Sequence, residues 1–396
     1  MMESAEVGGA RDRRGSIVCI VGARPNFMKM APLIRAFGSE PGLPAAVLVH
    51  TGQHYDFAMS DALFRDLELP VPDLNLEVGS ATHAVQTAEV MKRIEPVLDD
   101  LQPSCVVVVG DVNSTLAVAL VASKKGIPVA HVEAGLRSHD RTMPEEVNRL
   151  LTDQLSDLLY TTERTAADNL AREGVPRERV HFVGNVMIDS LLQHVSRAPT
   201  AAATLARAGV RGGIALEPPG FGVATLHRPS NVDDRVALEE SLEIVGDVAR
   251  HLPVVWPMHP RTRANVEKFR LQRLVENPRI VLLPPQGYLE MLGLLSAAKV
   301  VLTDSGGIQE ETTALSVPCL TMRENTERPI TIAEGTNLLV GRDRARIVAA
   351  VEDILASGGK RGRRPELWDG GAAPRIAKHL ASWLVSRESR PAEAIA

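Results

Sequence analysis

Two successive series of short apolar segments, six in each, constrain the fold of this chain more than any other feature of its sequence. Helical patterns separate the segments, whose composition is typical of buried parallel strands. The first series comprises residues 17–21, 46–50, 105–109, 128–132, 158–161 and 181–183, and the second comprises residues 222–226, 254–258, 280–283, 300–303, 319–322 and 338–340. Alternation of strand and helix predicts parallel sheets with right-handed crossovers. We therefore expect an α/β protein with two Rossmann-like, doubly wound domains that face a cleft.

The two series also suggest the domain boundaries, because 396 residues are enough for two domains. Residues 16–195 are predicted to form the N-terminal Rossmann-like domain. Residues 196–374 are predicted to form a C-terminal, nucleotide-binding domain, with a loop or linker rich in Ala, Gly and Pro over residues 199–220. Residues 1–15 contain no apolar stretch and are predicted to be a flexible arm rather than a secretory signal.

A terminal helix is predicted over residues 375–391. Four apolar residues recur there at helical spacing and form one stripe: Ile376, Leu380, Trp383 and Leu384. Since such a stripe has to be buried, we expect this helix to pack back on the N-terminal domain.

Composition excludes several classes of protein. The net charge of −5, from 44 basic and 49 acidic residues, argues against a nucleic-acid partner, which would require a basic face. No apolar run is long enough to span a membrane, so we expect a cytoplasmic protein with no membrane partner. The three cysteines, Cys19, Cys105 and Cys319, lie inside apolar segments without metal-ligand spacing, which predicts buried thiols and no metal site.

The most concentrated group of ionisable residues lies between His131 and Arg149, in the sequence HVEAGLRSHDRTMPEEVNR. It begins at the carboxyl end of a predicted strand, where α/β sheets bind ligands. Pro144 is suited to the first turn of a helix, and Glu145 and Glu146 would then lie near the positive end of its dipole. The alternative is a polar loop followed by a charged helix start.

Other strand ends of the first domain carry further candidates. Arg24 and Lys29 follow a glycine turn after the first strand, which favours an anion site at a helix N-terminus. The dinucleotide fingerprint G-x-G-x-x-G is absent, so NAD is not indicated. Gln53 and His54 follow the second strand and either contact a ligand or cap a helix. Asp111 follows the strand at 105–109, as a base or a hydroxyl acceptor would, although an ordinary helix start explains it equally well.

The second domain repeats this arrangement with more cations. His227-Arg228 and His259 end its first two strands and suggest an anionic ligand. The sequence DSGGIQEE at 304–311 brings small residues to a helix start, where exposed N–H groups bind phosphate oxygens. A carboxylate one turn into that helix can accept ribose hydroxyls, and Thr326-Glu-Arg-Pro329 adds another cation. The alternative is a tight turn with ordinary helix capping.

Taken together, these motifs resemble those of the non-hydrolysing UDP-N-acetylglucosamine 2-epimerases. They occur in order as GARP with Lys29 (22–29), GQH (52–54), GD (110–111), HVEAGLR (131–137), PEEVNR (144–149), GN (184–185), HR (227–228), DSGGIQEE (304–311) and TERP (326–329). The resemblance extends over about residues 16–390, and the combination is highly specific. It implies a fold like that of the GT-B glycosyltransferases, a homodimer, and interconversion of UDP-GlcNAc and UDP-ManNAc without NAD or an obligatory metal.

The resemblance also implies roles for individual residues. The acid/base and leaving-group residues would be Asp111, Glu133, Glu145 and His227. The substrate and UDP contacts would be Arg24, Lys29, Gln53, His54, Arg137, Arg228, His259, Ser305, Gly306, Gly307, Glu311 and Arg328. Three features depart from the family pattern: Asn26 stands where many members have glutamate, the loop between Arg137 and Pro144 is shorter than in some relatives, and residues 53–56 differ from the Gln-His-Arg-Glu form of members that a second UDP-GlcNAc activates.

The family chemistry requires residues of these types. Because C2 of the sugar has no adjacent carbonyl, the implied route is elimination of UDP across C1–C2 through 2-acetamidoglucal, followed by re-addition. A carboxylate removes the C2 proton, cations stabilise the departing diphosphate, and inversion needs more than one acid/base group. The alternatives are 2-epimerisation of a 3-acetamido or uronate derivative, a GT-B glycosyltransferase, and a nucleotide-sugar sensor without activity.

Overall fold

The computed structural model of the protein describes residues 13–52, 64–210 and 219–389, and within these ranges it contains two parallel sheets. The first has seven strands in the order β3-β2-β1-β4-β5-β6-β7. Their bounds are β1 Ile17–Val21, β2 Ala46–His50, β3 Leu74–Asn75, β4 Cys105–Val109, β5 Val129–Ala134, β6 Leu158–Thr161 and β7 Val180–Phe182. The helices of this half are Arg24–Ser39, His83–Leu101, Asn113–Lys124, Pro144–Leu155 and Arg164–Arg172, with a 3-10 turn at Arg177–Arg179.

The second sheet has six strands in the order β10-β9-β8-β11-β12-β13. Their bounds are β8 Gly222–Thr225, β9 Val254–Pro257, β10 Ile280–Leu283, β11 Val300–Thr303, β12 Cys319–Thr321 and β13 Asn337–Leu339. The longer helices of this half are Val186–His194, Ala201–Arg207, Arg235–His251, Pro260–Lys268, Tyr288–Ala297, Gly306–Leu315 and Arg344–Ser357. Shorter helical segments are Val195–Arg197, Pro229–Val232, Gln272–Leu274 and Pro329–Ala333.

The central strands are buried on both faces, which explains why they are continuous apolar runs rather than alternating ones. Every residue of β1 and of β4 is buried, and the two strands pair in parallel, with Ile17 opposite Cys105. The cysteines confirm the prediction of buried thiols. Burial raises the pKa of Cys105 to about 12 and that of Cys319 to about 11, and it also raises the pKa of Cys19.

The described chain divides into two compact units. The first comprises the residues up to Leu136, Asp140–Val186 and those from Gly371 onward, and the second comprises Arg137–His139 and Met187–Gly370. The two units change over near residues 195 and 374, where the sequence suggests the domain boundaries. That each part is a separate domain stays a prediction. The prediction of two Rossmann-like domains is confirmed.

The terminal helix spans Ala372–Glu388 and packs on helix Arg24–Ser39 of the first unit. Ile376, Leu380 and Leu384 of the predicted stripe are buried, and Arg375 donates a hydrogen bond to the carbonyl of Val183. No helix of the described ranges has both the length and the apolar composition needed to cross a membrane.

Two elements differ from the sequence-based expectation. The segment expected to be a loop or linker at 199–220 contains helix Ala201–Arg207, whose N-cap is Thr200: its hydroxyl accepts a hydrogen bond from the amide of Ala203. The two-residue strand β3 is absent from the predicted series, because so short a strand leaves no periodicity in the sequence. Gln53 and His54 lie outside the described residues.

Candidate active site

The carboxyl ends of β1 and β5 are joined by a buried ion pair. Lys29, on the helix after β1, brings its Nζ to 2.6 Å from Oε1 of Glu133, and their side chains are 6% and 2% exposed. Gly110 at the end of β4 leaves the space for it, since a Cβ there would lie 3.0 Å from Nζ of Lys29. The ammonium of Lys29 thus pairs with a carboxylate that is almost completely shielded from solvent.

Glu133 has an unusual backbone conformation. Its φ of 75° lies in the left-handed region, and the register of β5 on β6 shifts between Val132 and Ala134. A left-handed residue other than glycine costs about 1–3 kcal/mol and persists where its surroundings hold it. This irregularity re-aims the side chain, as β-bulges near active sites commonly do.

Asp111, which follows β4, belongs to a second charged group in the first unit. Arg149 on helix Pro144–Leu155 contacts the carboxylate of Asp111 through Nη1, and it donates to Oε2 of Glu146 through Nη2 at 2.6 Å and Nε at 3.0 Å. Glu146 and Arg149 are buried, whereas the side chain of Asp111 is 22% exposed. One guanidinium therefore neutralises and orients two carboxylates. Glu145 is half-buried in the first turn of the same helix.

The turn after β1 is fixed by Asn26. Its Oδ1 accepts a hydrogen bond from the amide of Ala23 at 3.0 Å, and its Nδ2 donates to the carbonyl of Val109 at 2.9 Å. Gly22 has no space for a side chain, because a Cβ there would lie 2.5 Å from Oγ of Ser114. Arg24 begins the following helix, and its side chain is outside the described structure.

In the second unit, buried Asp304 organises the end of β8. It accepts hydrogen bonds from the amides of His227 and Arg228 and from the side chain of Asn231, and its Oδ1 lies 3.1 Å from Nδ1 of His227. Burial raises the pKa of Asp304, but the hydrogen bonds and charge of His227, together with the other donors, lower it overall. The charged carboxylate holds the imidazole, 36% exposed, in a fixed orientation.

The N-terminus of helix Gly306–Leu315 has the features that favour an anion. Ser305 is its N-cap residue and makes no side-chain cap, so the first amides of the helix have no partner from that hydroxyl. Glycine lets neighbouring side chains approach closely there: a Cβ on Gly306 would lie 2.6 Å from Oε1 of Glu327, and one on Gly307 would lie 2.9 Å from Cε of Met187, so these side chains would have to shift.

Three arginines surround this helix end. Arg323 pairs with Glu327 at 2.8 Å, Arg228 lies 3.7 Å from the same carboxylate, and Arg328 pairs with Glu310 at 2.8 Å. Arg228 is the most exposed, at 24%, whereas Arg323 and Arg328 are 6% exposed. Arg228 is thus the cation best placed to meet a ligand, and the other two contribute charge from below the surface.

Glu311, in the same helix, is buried next to Tyr288. Burial, and then the charge and hydrogen bonding of Glu311, raise the pKa of Tyr288 well above its ordinary value. The phenol of Tyr288 therefore stays protonated at neutral pH.

The structure brings the sequence-predicted residues together in two groups. Lys29, Asp111, Glu133 and Glu145 lie at the strand ends or helix starts of the first unit, and His227, Arg228, Ser305, Gly306, Gly307, Glu311 and Arg328 lie at those of the second. His259 is exposed at the N-cap of helix Pro260–Lys268, and its ring centroid is 5.4 Å from that of His227. Arg137 is buried in the loop after β5.

Five residues of these clusters were not assigned a role from the sequence: Glu146, Arg149, Asp304, Arg323 and Glu327. The spacing of Glu146 and Arg149, three residues apart on a helix, is a signal that could have indicated their pairing. The contacts of Asp304, Arg323 and Glu327 include residues from other segments of the chain, and no local sequence pattern predicts them. The described ranges contain no group of three or more His, Cys, Asp or Glu side chains arranged to hold a metal ion.

The fold and the two clusters define a two-unit Rossmann-like α/β protein equipped for acid/base chemistry and for anion binding. The sequence model of the UDP-N-acetylglucosamine 2-epimerase family matches residues 41–381, more than half of the chain. The chain therefore belongs to this family, and it is an enzyme.

Individual relatives agree with this assignment. The UDP-N-acetylglucosamine 2-epimerase of Methanocaldococcus jannaschii is 41% identical over 367 residues, which cover 91% of this chain and 97% of that one. The UDP-2,3-diacetamido-2,3-dideoxy-D-glucuronate 2-epimerase of Pseudomonas aeruginosa is 42% identical over 370 residues, covering 92% and 99%. The crystal structure of the M. jannaschii enzyme with UDP-GlcNAc and UDP is similar with a TM-score of 0.84 at 39% identity, covering 93% of this chain and 99% of that one.

Proposed function

We propose that this protein is a non-hydrolysing UDP-N-acetylglucosamine 2-epimerase that interconverts UDP-GlcNAc and UDP-ManNAc. The observation that carries the proposal is the buried Lys29–Glu133 pair at the end of β5, next to the strand end that bears Asp111. The pair places a buried carboxylate at the sheet edge where an α/β fold binds its ligand. Similarity to the M. jannaschii enzyme, solved with UDP-GlcNAc and UDP, supports this choice of substrate.

The proposed reaction has two steps, elimination of UDP and its re-addition. A carboxylate takes the proton from C2, the electrons of that C–H bond form a double bond between C1 and C2, and the C1–O bond to UDP breaks. The products are 2-acetamidoglucal and UDP. In the return step a proton is delivered to the opposite face of C2, and a phosphate oxygen of UDP re-forms the bond to C1. The two faces require separate acid/base groups.

The first unit supplies the proton-transfer groups in this proposal. Glu133, Asp111 and Glu145 are the candidates for exchange at C2, and Lys29 and Arg149 form ion pairs with Glu133 and Asp111. Arg24, Gln53, His54 and Arg137 stay predicted substrate contacts.

The second unit supplies the groups for the departing UDP. Phosphate oxygens would be met by Ser305 and by the amides of Gly306 and Gly307 at the helix N-terminus, where the dipole favours negative charge. Arg228 and the buried Arg328 add positive charge, and His227 would donate a proton or a hydrogen bond to the leaving oxygen. Glu311 would accept the ribose hydroxyls, and His259 stays a predicted nucleotide contact.

The experiment that tests the proposal is NMR of the purified protein with UDP-GlcNAc in D₂O, without any acceptor sugar. We expect UDP-ManNAc to form and deuterium to enter C2 of both nucleotide sugars. The same result is expected after dialysis against EDTA, because neither NAD nor a metal is proposed to take part. Epimerisation without deuterium at C2 would rule out proton abstraction there. Loss of turnover that NAD or a divalent ion restores would contradict cofactor independence.

A second candidate is 2-epimerisation of a modified UDP-sugar. The P. aeruginosa diacetamido-uronate epimerase is 42% identical and the M. jannaschii enzyme 41%, so overall similarity does not separate the two substrate types. The discriminating measurement is kcat/KM for UDP-GlcNAc against UDP-2,3-diacetamido-2,3-dideoxy-D-glucuronate. If kcat/KM is much higher for the uronate, the uronate rather than UDP-GlcNAc is the substrate. A glycosyltransferase, by contrast, needs an acceptor and would leave UDP-GlcNAc unepimerised.

Two broader expectations accompany the proposal. We infer from the family resemblance that the protein works as a homodimer, which light scattering of the purified chain would test. A cytoplasmic location is likewise a prediction, and fractionation of cells that express the chain would test it.

A further inference from the structure

A buried histidine–aspartate pair lies beneath the candidate acid/base residues of the first unit. His131 on β5 and Asp153 on helix Pro144–Leu155 are both fully buried, and Nδ1 of His131 is 2.7 Å from Oδ1 of Asp153. The other ring nitrogen, Nε2, lies 2.8 Å from the carbonyl oxygen of Gly110. Because a carbonyl oxygen only accepts, Nε2 carries a proton and donates it.

Asp153 also reaches the other side of Glu133. Its second oxygen accepts a hydrogen bond from the amide of Gly135 at 3.1 Å. Three hydrogen bonds thus connect the carbonyl of Gly110 to the amide of Gly135. Gly110 immediately precedes Asp111, and Gly135 lies two residues after Glu133, so the connection joins the backbones of two predicted acid/base residues.

The backbone is left-handed at three of these residues, a region that glycine adopts readily but glutamate does not. The φ angles are +67° for Gly110, +75° for Glu133 and +78° for Gly135. A residue such as Glu133 stays in this region only when its surroundings impose it. Glu133 lies between His131 and Gly135, and the hydrogen bonds of His131 and Asp153 hold both of these residues. The hydrogen bond from His131 to Gly110 also joins the ends of β5 and β4.

We propose that His131 and Asp153 are positioning residues for Asp111 and Glu133, an inference that rests on the proposed function. Being fully buried, they do not meet the substrate. They fix the ends of β4 and β5 so that the two carboxylates keep the spacing that proton exchange at C2 requires. A displacement of about 1 Å can reduce a rate by about 10²-fold, so loss of this constraint affects turnover before it affects folding.

In this proposal Asp153 positions the strand ends through its hydrogen bonds rather than through its charge. Asn and Ala at position 153 should therefore have different effects. In Asp153→Asn, Oδ1 can accept from the amide of Gly135 while Nδ2 donates to Nδ1 of a neutral His131. The Nε2–H of His131 then still donates to Gly110, so all three hydrogen bonds survive. In Asp153→Ala the connection is lost.

The experiment compares kcat, KM and the UDP-induced shift of Tm in the wild type, Asp153→Ala, Asp153→Asn and His379→Ala. The last removes a half-buried hydrogen-bonding histidine of the same unit, whose Nδ1 is 3.0 Å from the hydroxyl of Tyr160. We expect Asp153→Ala to lower kcat by about 10²-fold and to leave KM and the UDP shift within about threefold. Asp153→Asn should restore kcat to within about fivefold of the wild type. His379→Ala should lower Tm without a comparable loss of kcat.

Three outcomes would overturn the proposal: a normal kcat in Asp153→Ala, an equal loss of kcat and UDP binding, or an inactive Asp153→Asn. If Asp153→Ala does not fold, His131→Asn replaces it, since its shorter side chain cannot join Asp153 to Gly110. Hydrogen exchange gives a readout independent of activity. Faster exchange at residues 110–111 and 133–135 in Asp153→Ala, but not in His379→Ala, supports positioning, and unchanged exchange there contradicts it. A wild type that exchanges normally but never epimerises UDP-GlcNAc would instead refute the proposed function.

Discussion

At the scale of single residues, Glu133 combines three properties that are rarely found together. It is buried, it is paired with Lys29, and it has a left-handed backbone. A structural ion pair would need only the first two, and β5 could then continue as a regular strand. The backbone irregularity re-aims the carboxylate at some cost in stability, and such strain is concentrated at functional sites.

Glu133→Gln and Glu145→Gln are therefore predicted to lower kcat by about 10²-fold or more, as loss of an acid/base group does. Glutamine keeps the shape and removes the proton-accepting charge. The UDP-induced shift of Tm should change little, because the groups proposed to bind UDP lie mainly in the second unit. Glu89→Gln is the control, since Glu89 forms only surface ion pairs with Lys92 and Arg93. If both variants have near-normal rates, residues 131–149 are better explained as a polar loop followed by a charged helix start.

At the scale of secondary-structure elements, the sequence predicts most of what the structure shows. Strands such as β1 and β4 are predicted at their observed bounds, because they are buried on both faces and read as uninterrupted apolar runs. The end of β5 is different: its apolar run stops at Val132, whereas the strand continues to Ala134 through Glu133. A charged residue inside a buried strand departs from the apolar pattern, and its buried partner Lys29 compensates the charge.

The sequence predicts which residues belong to the candidate site, but it does not predict which of them contact each other. Lys29 and Glu133 are 104 residues apart in the chain, and their pairing depends on the order of β1, β4 and β5 in the sheet. The same holds for His227 and Asp304, which join the ends of two adjacent strands. Strand-end positions are visible in sequence, whereas the partner across the sheet is set by topology and by packing.

The attachment of the terminal helix is predicted to weaken in mild acid. His379 on this helix stacks on His181 of β7, with ring centroids 3.8 Å apart. Burial, and then the charge of His379, lower the pKa of His181 to about 4, and burial lowers that of His379. An unfolded histidine titrates near about 6.5, so the unfolded chain binds more protons between these values and stability falls as pH drops from about 6.5 to about 4.

The measurement is Tm as a function of pH from about 7.5 to about 3.5, which spans the window of about 6.5 to 4. His181→Gln should show a smaller decrease over this range than the wild type. His251→Gln, which removes a half-buried histidine 3.8 Å from Glu352, is the control and should retain the wild-type slope. A wild-type slope in His181→Gln would show that the stacked histidines do not govern acid stability.

At the scale of the whole molecule, the two units present different kinds of charged group. The first presents carboxylates held by Lys29 and Arg149, and the second presents arginines and a glycine-rich helix start. In a protein with a net charge of −5, three arginines lie around the N-terminus of helix Gly306–Leu315, where they pair with Glu327 and Glu310. This separation predicts that UDP binding and proton transfer can be impaired one at a time.

UDP alone should therefore raise Tm, and a substitution at the helix start should reduce the effect. A ligand that binds only the folded state stabilises by about 2.7 kcal/mol at 100 times its Kd. In Gly306→Ala the new methyl group would lie 2.6 Å from Oε1 of Glu327, which displaces the carboxylate between Arg228 and Arg323. We expect its Kd for UDP to rise about tenfold, or about 1.4 kcal/mol. Gly246→Ala, on a helix where nothing lies within 4 Å of the added Cβ, should bind UDP like the wild type. If millimolar UDP leaves the melting curve of the wild type unmoved, or if Gly306→Ala binds UDP normally, the helix start is not the diphosphate site.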